Sequence, residues 1–147
     1  MYNCILITGG CGFIGSNFIN YIYEIMPTVT IINLDAMYYC ASITNIEKDI
    51  RNSQRYVFVK GNTCDYDLVL KLLTKYDVDC VINFAAQSHV QHSFTDALMY
   101  TNDNILGSHT LLEACRIYHK LKLFVHVSTD EVYGESTLSA NETWKKT

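Results

Sequence analysis

The first 35 residues constrain everything that follows. Cys4-Ile5-Leu6-Ile7 is a short apolar run that reads as a strand. Thr8-Gly9-Gly10-Cys11-Gly12-Phe13-Ile14-Gly15 is a glycine-spaced turn, and Ser16 to Met26 carries apolar residues at helical spacing. A second apolar run, Val29 to Leu34, ends on Asp35. Strand, tight turn, helix, strand and acid, in that order, are the parts from which a chain builds a dinucleotide site. Gly9 permits the sharp exit from the strand, Gly12 lets backbone approach a pyrophosphate with no Cβ in the way, and Gly15 lets the helix pack close to the sheet. The unpaired N–H groups and positive dipole end of the helix's first turn suit phosphate. Asp35 stands about twenty residues past Gly15, the offset of an acid that accepts from a ribose hydroxyl. A carboxylate there repels a 2′-phosphate, which favours NAD over NADP. The spacing is G-x-x-G-x-x-G rather than G-x-G-x-x-G. The competing reading is therefore a plain βαβ crossover whose glycines only tighten the turn, and the strand, helix and acid around them weigh against it.

The rest of the chain repeats this alternation. Ala36 to Ser42, with Tyr38, Tyr39 and Cys40, reads as a loop near the adenosine end. A helix is predicted over Ile43 to Asn52, capped by Ser42 or Thr44, and Tyr56 to Val59 is the third strand. Gly61 to Asp65 is a turn in which Asp65 caps a helix running to Tyr76. Val81 to Phe84 is the fourth strand and runs into Ala85-Ala86-Gln87-Ser88. A long helix over Thr95 to His119 precedes a fifth strand at Leu123 to Val127. Ser128 to Gly134 and a polar tail with Trp144, Lys145 and Lys146 complete the chain. Near-continuous apolar strands separated by helices specify an α/β fold, a Rossmann-type parallel sheet with helices on both faces. Right-handed crossovers give five strands the order 3-2-1-4-5. Ligands in such sheets sit beyond the carboxyl ends of the strands, where the order reverses. The glycine turn, Ala85 to Ser88 and Ser128 to Glu131 all fall on that edge.

With 147 residues, the chain fits one domain, taken as 1–147, and can bury a core. Its formal charge of −4 provides no basic surface, which argues against nucleic acid or an anionic membrane as partner. No apolar run reaches the length of a membrane span, and the N-terminus goes straight into a strand with no basic-then-apolar signal pattern. The six cysteines lack C-x-x-C spacing, and without an export signal they read as reduced thiols of a cytoplasmic protein. Cys11, at the phosphate turn, is expected to be the more reactive thiol because a helix N-terminus favours thiolate. His89 and His92 read as polar lining rather than metal ligands, His126 as a satisfied core residue, and no metal is assigned.

Thr129-Asp130-Glu131 follows the fifth strand at the site edge. Two adjacent acids can work as an acid and a base, or can simply open a turn before Gly134. Here the sequence resembles the nucleotide-sugar 4,6-dehydratases of the extended short-chain dehydrogenase/reductase superfamily, which act on dTDP-glucose or UDP-glucose. Ser128-Thr129-Asp130-Glu131-Val132-Tyr133-Gly134 is similar to their signature. The glycine turn, Leu34-Asp35 with Tyr39-Cys40, Phe84 to Val90 and Asn104 to His109 agree with it. The likeness runs from Cys4 to about Gly134, and Tyr39-Cys40 with Leu111 to Cys115 is most similar to UDP-rhamnose synthases and dTDP-sugar relatives. Related epimerases carry small residues in place of Asp130-Glu131.

The resemblance implies a reaction in which hydride leaves C4 of the glucose for bound NAD and returns at C6. Asp130 protonates the departing C6 hydroxyl and Glu131 removes the C5 proton. Thr129 hydrogen-bonds the sugar near C4, and Ser88 is a lesser substrate contact. It also implies that Gly9, Gly12, Phe13, Ile14, Gly15, Asp35, Asn62, Thr63, Ala85, Ala86 and Gln87 hold the cofactor, with Ala85, Ala86 and Gln87 along the nicotinamide ribose. Asn62 stands where the family usually has an acid that meets the adenine amine, and its amide oxygen can still accept that bond. The family's Tyr-x-x-x-Lys pair follows the acid pair, whereas Tyr56 with Lys60 and Tyr118 with Lys122 precede it and read as decoys. The expectation is therefore a truncated form with little activity alone, its partner a small-molecule nucleotide sugar and its family dimer interface incomplete. The alternatives are an NAD-binding or interaction protein without catalysis, and a nucleotide-sugar epimerase.

Overall fold

The computed structural model describes residues 2–134; the polar tail with Trp144, Lys145 and Lys146 lies outside them. Five parallel strands form one sheet: β1 (Cys4–Thr8), β2 (Thr30–Asp35), β3 (Tyr56–Lys60), β4 (Cys80–Asn83) and β5 (Leu123–His126). Their order is β3-β2-β1-β4-β5, so the chain reverses direction across the sheet between β1 and β4, as the crossovers require. β1 sits at the centre, with Leu6 opposite Ile32 on one side and Val81 on the other. Successive strand side chains point to opposite faces, and β1 divides accordingly. Cys4 and Leu6 join a core with Val69, Leu72 and Leu73 of α3 (Tyr66–Lys75) and with Leu111, Ala114 and Tyr118 of α6 (Gly107–Tyr118). Ile5 and Ile7 join a second core with Ile19 and Ile22 of α1 (Phe13–Ile25) and with Ile46 and Ile50. Helices thus cover both faces, and the strands are apolar on both sides for that reason.

Asp79 ties the opposite, amino-terminal edge of the sheet. Its carboxylate accepts from the Asn3 amide at 3.0 Å and the Cys4 amide at 3.2 Å, and from Lys122 Nζ at 2.9 Å. Those bonds join the loop before β4 to the starts of β1 and β5.

Two helical predictions are corrected. The single helix expected over Ile43 to Asn52 is a 3₁₀ turn, Ile43–Asn45, followed by the short α2, Lys48–Arg51. Ser42 does accept from the Thr44 amide, but Ile46 and Glu47 are extended. That break drives Ile46 into the core at 0% exposure. The long helix expected over Thr95 to His119 is not one α-helix. α4 (Val90–Thr95) ends where Asp96 leaves helical geometry, and Asp96 caps α5 (Ala97–Tyr100) by accepting from the Met99 amide at 3.2 Å. The chain then passes through a π-helical stretch, Thr101–Leu106, into α6. The first helix starts at Phe13, three residues before the expected Ser16; the remaining boundaries agree within a residue or two, and Asp65 caps α3 through the Leu68 amide at 3.0 Å.

His126 is also corrected. It is exposed rather than core, because β5 is the sheet's edge among the described residues, and its Nδ1 lies 3.0 Å from Asn83 Nδ2.

Candidate dinucleotide site

The carboxyl ends of the strands open into a cavity of about 440 Å³. The β1–α1 turn forms its floor. Gly9 turns out of β1 with φ +68°, and a Cβ there would stand 2.7 Å from the Ala85 amide nitrogen. Only glycine combines that backbone with that packing. Gly15 has a different role from the one expected. A Cβ on it would overlap Gly9 O and come within 2.8 Å of Gly10 Cα, so it closes the turn upon itself rather than bringing the helix down on the sheet. A Cβ on Gly12 would meet little, only Gly9 O at 3.4 Å. That open side faces the cavity and leaves room for a ligand against the backbone. Gly12 is also the N-cap of α1 and offers no side chain. The first-turn amides at Phe13 and Ile14 are therefore left for an anion at the positive end of a 13-residue helix.

Asp35 lies at the end of β2 and is 6% exposed. One carboxylate oxygen accepts from the Cys11 amide at 2.8 Å and the other from the Met37 amide at 2.7 Å. Each oxygen keeps a lone pair, and Asp35 lines the cavity. The Met37 bond also holds that residue at φ +60°, a turn costly for a non-glycine residue, and so folds the Tyr38 loop back over the cavity. Cys11 is not the activated thiol expected from its position. It is 0% exposed, and burial together with the neighbouring Asp35 carboxylate pushes its thiol up to about 11. Desolvation outweighs the helix dipole here.

Gly9, Gly12, Phe13, Ile14, Gly15, Asp35, Asn62, Thr63, Ala85, Ala86, Gln87, Ser88 and Thr129 all line this one cavity. Asp130 and Glu131 do not. They begin a 3₁₀ turn, Asp130–Tyr133, immediately past the lining residue Thr129, and both are exposed. Both decoy tyrosines are buried in the cores, Tyr56 at 7% and Tyr118 at 6% exposure, and neither lines the cavity. His89 and His92 stack at 4.3 Å between ring centroids, and no group of three or more metal-ligating side chains occurs among the described residues. No described helix is long and apolar enough to cross a membrane.

The π-helical stretch contributes residues with no role predicted from the sequence. Asn104 accepts from the Gln87 amide at 2.7 Å and donates to the Gln87 carbonyl at 2.9 Å. Asp103 accepts from Gln87 Nε2 at 2.9 Å and from Asn62 Nδ2 at 3.1 Å. This clamp fixes Gln87 at 8% exposure. One signal was present: Asn102-Asp103-Asn104 puts three short polar side chains in mid-helix, where such residues compete with helical backbone bonds. π-turns concentrate at functional sites.

Known proteins match along nearly the whole chain. A trifunctional UDP-glucose 4,6-dehydratase/UDP-4-keto-6-deoxy-D-glucose 3,5-epimerase/UDP-4-keto-L-rhamnose-reductase of Arabidopsis thaliana is 42% identical over 93% of this chain, which spans 20% of that protein. The crystal structure of dTDP-glucose 4,6-dehydratase from Bacillus anthracis, solved in complex with NAD, is 39% identical with a TM-score of 0.79. It matches 99% of this chain, which covers 42% of that structure. A UDP-glucose 4-epimerase from Stenotrophomonas maltophila with bound NAD has a TM-score of 0.84 at 28% identity, over 100% of this chain and 43% of its own. The family described as GDP-mannose 4,6 dehydratase matches residues 6–145, and the chain belongs to that family.

Proposed function

We propose that this chain, as a dinucleotide-binding domain, holds NAD in the cavity and supplies the cofactor side of a nucleotide-sugar 4,6-dehydratase acting on dTDP-glucose or UDP-glucose. One observation carries the reading. A single cavity is lined by the uncapped glycine turn and Asp35 at one end and by Ser88 and Thr129 at the other, with Asp130 and Glu131 immediately past it. When bound, NAD accepts hydride from C4 of the sugar and gives it back at C6. The amides of Phe13 and Ile14 hold the pyrophosphate, with Gly9, Gly12 and Gly15 keeping the turn clear of side chains. Asp35 accepts from ribose hydroxyls with the lone pairs that Cys11 and Met37 leave free. Asn62 and Thr63 border the adenine, and Ala85, Ala86 and Gln87 border the nicotinamide ribose. Ser88 and Thr129 orient the hexose. Asp130 gives its proton to the C6 hydroxyl, which leaves as water, Glu131 takes the C5 proton and returns it to C5 as hydride arrives at C6, and the proton of the C4 hydroxyl is released to solvent. The 39% identity to the Bacillus dehydratase and 28% to the Stenotrophomonas epimerase favour elimination over epimerisation.

One specific feature favours a second reading, NAD binding without turnover: Asp130 and Glu131 are exposed and outside the lining. Two further points belong to this proposal. The free, largely buried cysteines fit a reducing compartment such as the cytoplasm, and the assembly we propose is a homodimer of the family kind, to which this chain supplies part of the interface.

Incubating the chain with NAD and either sugar nucleotide, with products followed by mass spectrometry, tests the reading. A 4-keto-6-deoxy product, reduced about 10²- to 10⁴-fold by Asp130→Asn, is expected of the dehydratase. NAD binding without product supports the second reading, and an unmodified-mass 4-epimer supports an epimerase.

A further inference from the structure

The topology of the sheet orders the parts of a dinucleotide across it. The glycine turn follows β1 and takes the pyrophosphate, and Asp35 ends the neighbouring β2 and takes the ribose. The adenine then lies one strand further on, against the turn after β3. The cavity wall at that point is made by Tyr38, Asn62, Thr63 and Asp103. Asp35 and Asp103 are the two acids among the described residues of the lining, and Asp35 is committed to the ribose end.

The hydrogen bonds on this wall are directional. Asn62 Oδ1 accepts from the Cys64 amide at 2.9 Å, which turns its Nδ2 toward Tyr38 Oη at 3.0 Å and Asp103 Oδ1 at 3.1 Å. Asp103 Oδ1 also accepts from Asn102 Nδ2 at 3.3 Å, whereas Oδ2 receives one donor, Gln87 Nε2, at 2.9 Å. A carboxylate oxygen accepts two hydrogen bonds readily, so Oδ2 has one acceptor position left, which a ligand amine would take in competition with the neighbouring Tyr38 hydroxyl. Three amide donors hold the half-buried group in place on the cavity wall.

We propose that Asp103 is the residue that recognises the base of the dinucleotide, accepting a hydrogen bond from the exocyclic amine of adenine, with Asn62 as the positioning residue that holds its carboxylate. The inference rests on the NAD reading above and adds a discrimination to it. In a dinucleotide with hypoxanthine in place of adenine, the amine donor becomes a carbonyl acceptor. The carboxylate then faces an oxygen instead of an N–H and loses its bond.

The test is calorimetric titration of the full 147-residue chain with NAD and with nicotinamide hypoxanthine dinucleotide. A hydrogen bond to a charged group corresponds to a preference for NAD of about tenfold or more. Asp103→Asn is expected to bring the two affinities to near parity, because an amide can turn to meet either base. The exchanged pair Asn62→Asp with Asp103→Asn returns a carboxylate to the same wall and is expected to restore the preference. A merely structural Asp103 would weaken both dinucleotides by the same factor and leave their ratio unchanged. An unchanged ratio in Asp103→Asn overturns the proposal. So does a wild-type chain with no preference, which needs no variant to fold. Folded wild-type chain that binds neither dinucleotide overturns the NAD reading itself, a different result from equal binding of both.

Discussion

Cys11 and Cys40 bracket the loop over the cavity and differ in what surrounds them. Cys11 is sealed at 0% exposure, donates its amide to Asp35 and has its thiol raised to about 11, first by burial and then by the Asp35 carboxylate. Cys40 is exposed. Thiolate is the nucleophile, so access and ionisation both disfavour Cys11. Timed alkylation with iodoacetamide at pH 8, read by peptide mass spectrometry, is expected to modify Cys40 first and to leave Cys11 unmodified while the fold persists. Raising the pH toward 11 ionises Cys11 without exposing it, so its labelling stays slow until unfolding. Rapid labelling of Cys11 at pH 8 would mean that the β1–α1 turn opens in solution. The sequence pattern misled here because a helix N-terminus is visible in one dimension and burial is not. Asp103 illustrates the same limit. Its neighbours Asn62 and Gln87 lie 41 and 16 residues away in sequence, and no local spacing announces them.

At the scale of elements, the βαβ unit and all five strands were legible, because glycine spacing, apolar runs and an acid at the strand end each have a local physical cause. The interruptions after α1 were not. Ile46 has to leave a helix to reach the core beside Ile19 and Ile50, and its burial overrides a helical rhythm. The π-turn over Thr101–Leu106 exists where tertiary bonds to Gln87 and Asn62 compete with helical ones, and the break at Asp96 is made by its own side chain, which caps the next helix through the Met99 amide. The loop before β4 carries a testable electrostatic tie. Burial pushes the Asp79 carboxyl up, but Lys122 and the Asn3 and Cys4 amides outweigh it and hold it below the usual carboxylate range. A depressed carboxyl contributes stability that is fully present above its unfolded value, about 3.9, and is lost as pH falls through its folded value. Urea midpoints of the wild-type chain are therefore expected to fall below about pH 4. Asp79→Asn should lose about 1–3 kcal/mol at pH 7 and show a flatter profile between pH 5 and 3. An unchanged profile in the variant would assign the acid sensitivity to other carboxylates.

For the whole molecule, the side of α5 and α6 turned away from the sheet is the prominent unexplained surface. Leu111, Ala114 and Cys115 of α6 face the core, yet Leu98 is 83% exposed, Ile105 67% and Leu112 50%. Ile105 and Leu112 are seven residues apart, a spacing that keeps α-helical side chains near one face, and Leu98 lies on α5 before the π-helical stretch. Single exposed apolar residues are ordinary, whereas several together are what the proposed homodimer would bury. A second copy of these helices offers the same residues, and a two-fold axis lets each set cover the other, as an isologous interface requires. This is the physical content of the proposed homodimer, and it sits away from the cavity: none of the three lines it. Sedimentation velocity at micromolar concentration is expected to give a dimer for the wild-type chain and a monomer for the double variant Leu98→Glu, Leu112→Glu. Carboxylates placed opposite one another in the interface must be desolvated and repel. Cavity and helix face are separate, so the variant's affinity for NAD should match that of the wild type. A wild-type monomer, or a double variant that still dimerises, would remove this face from the assembly and leave its apolar residues to a different partner.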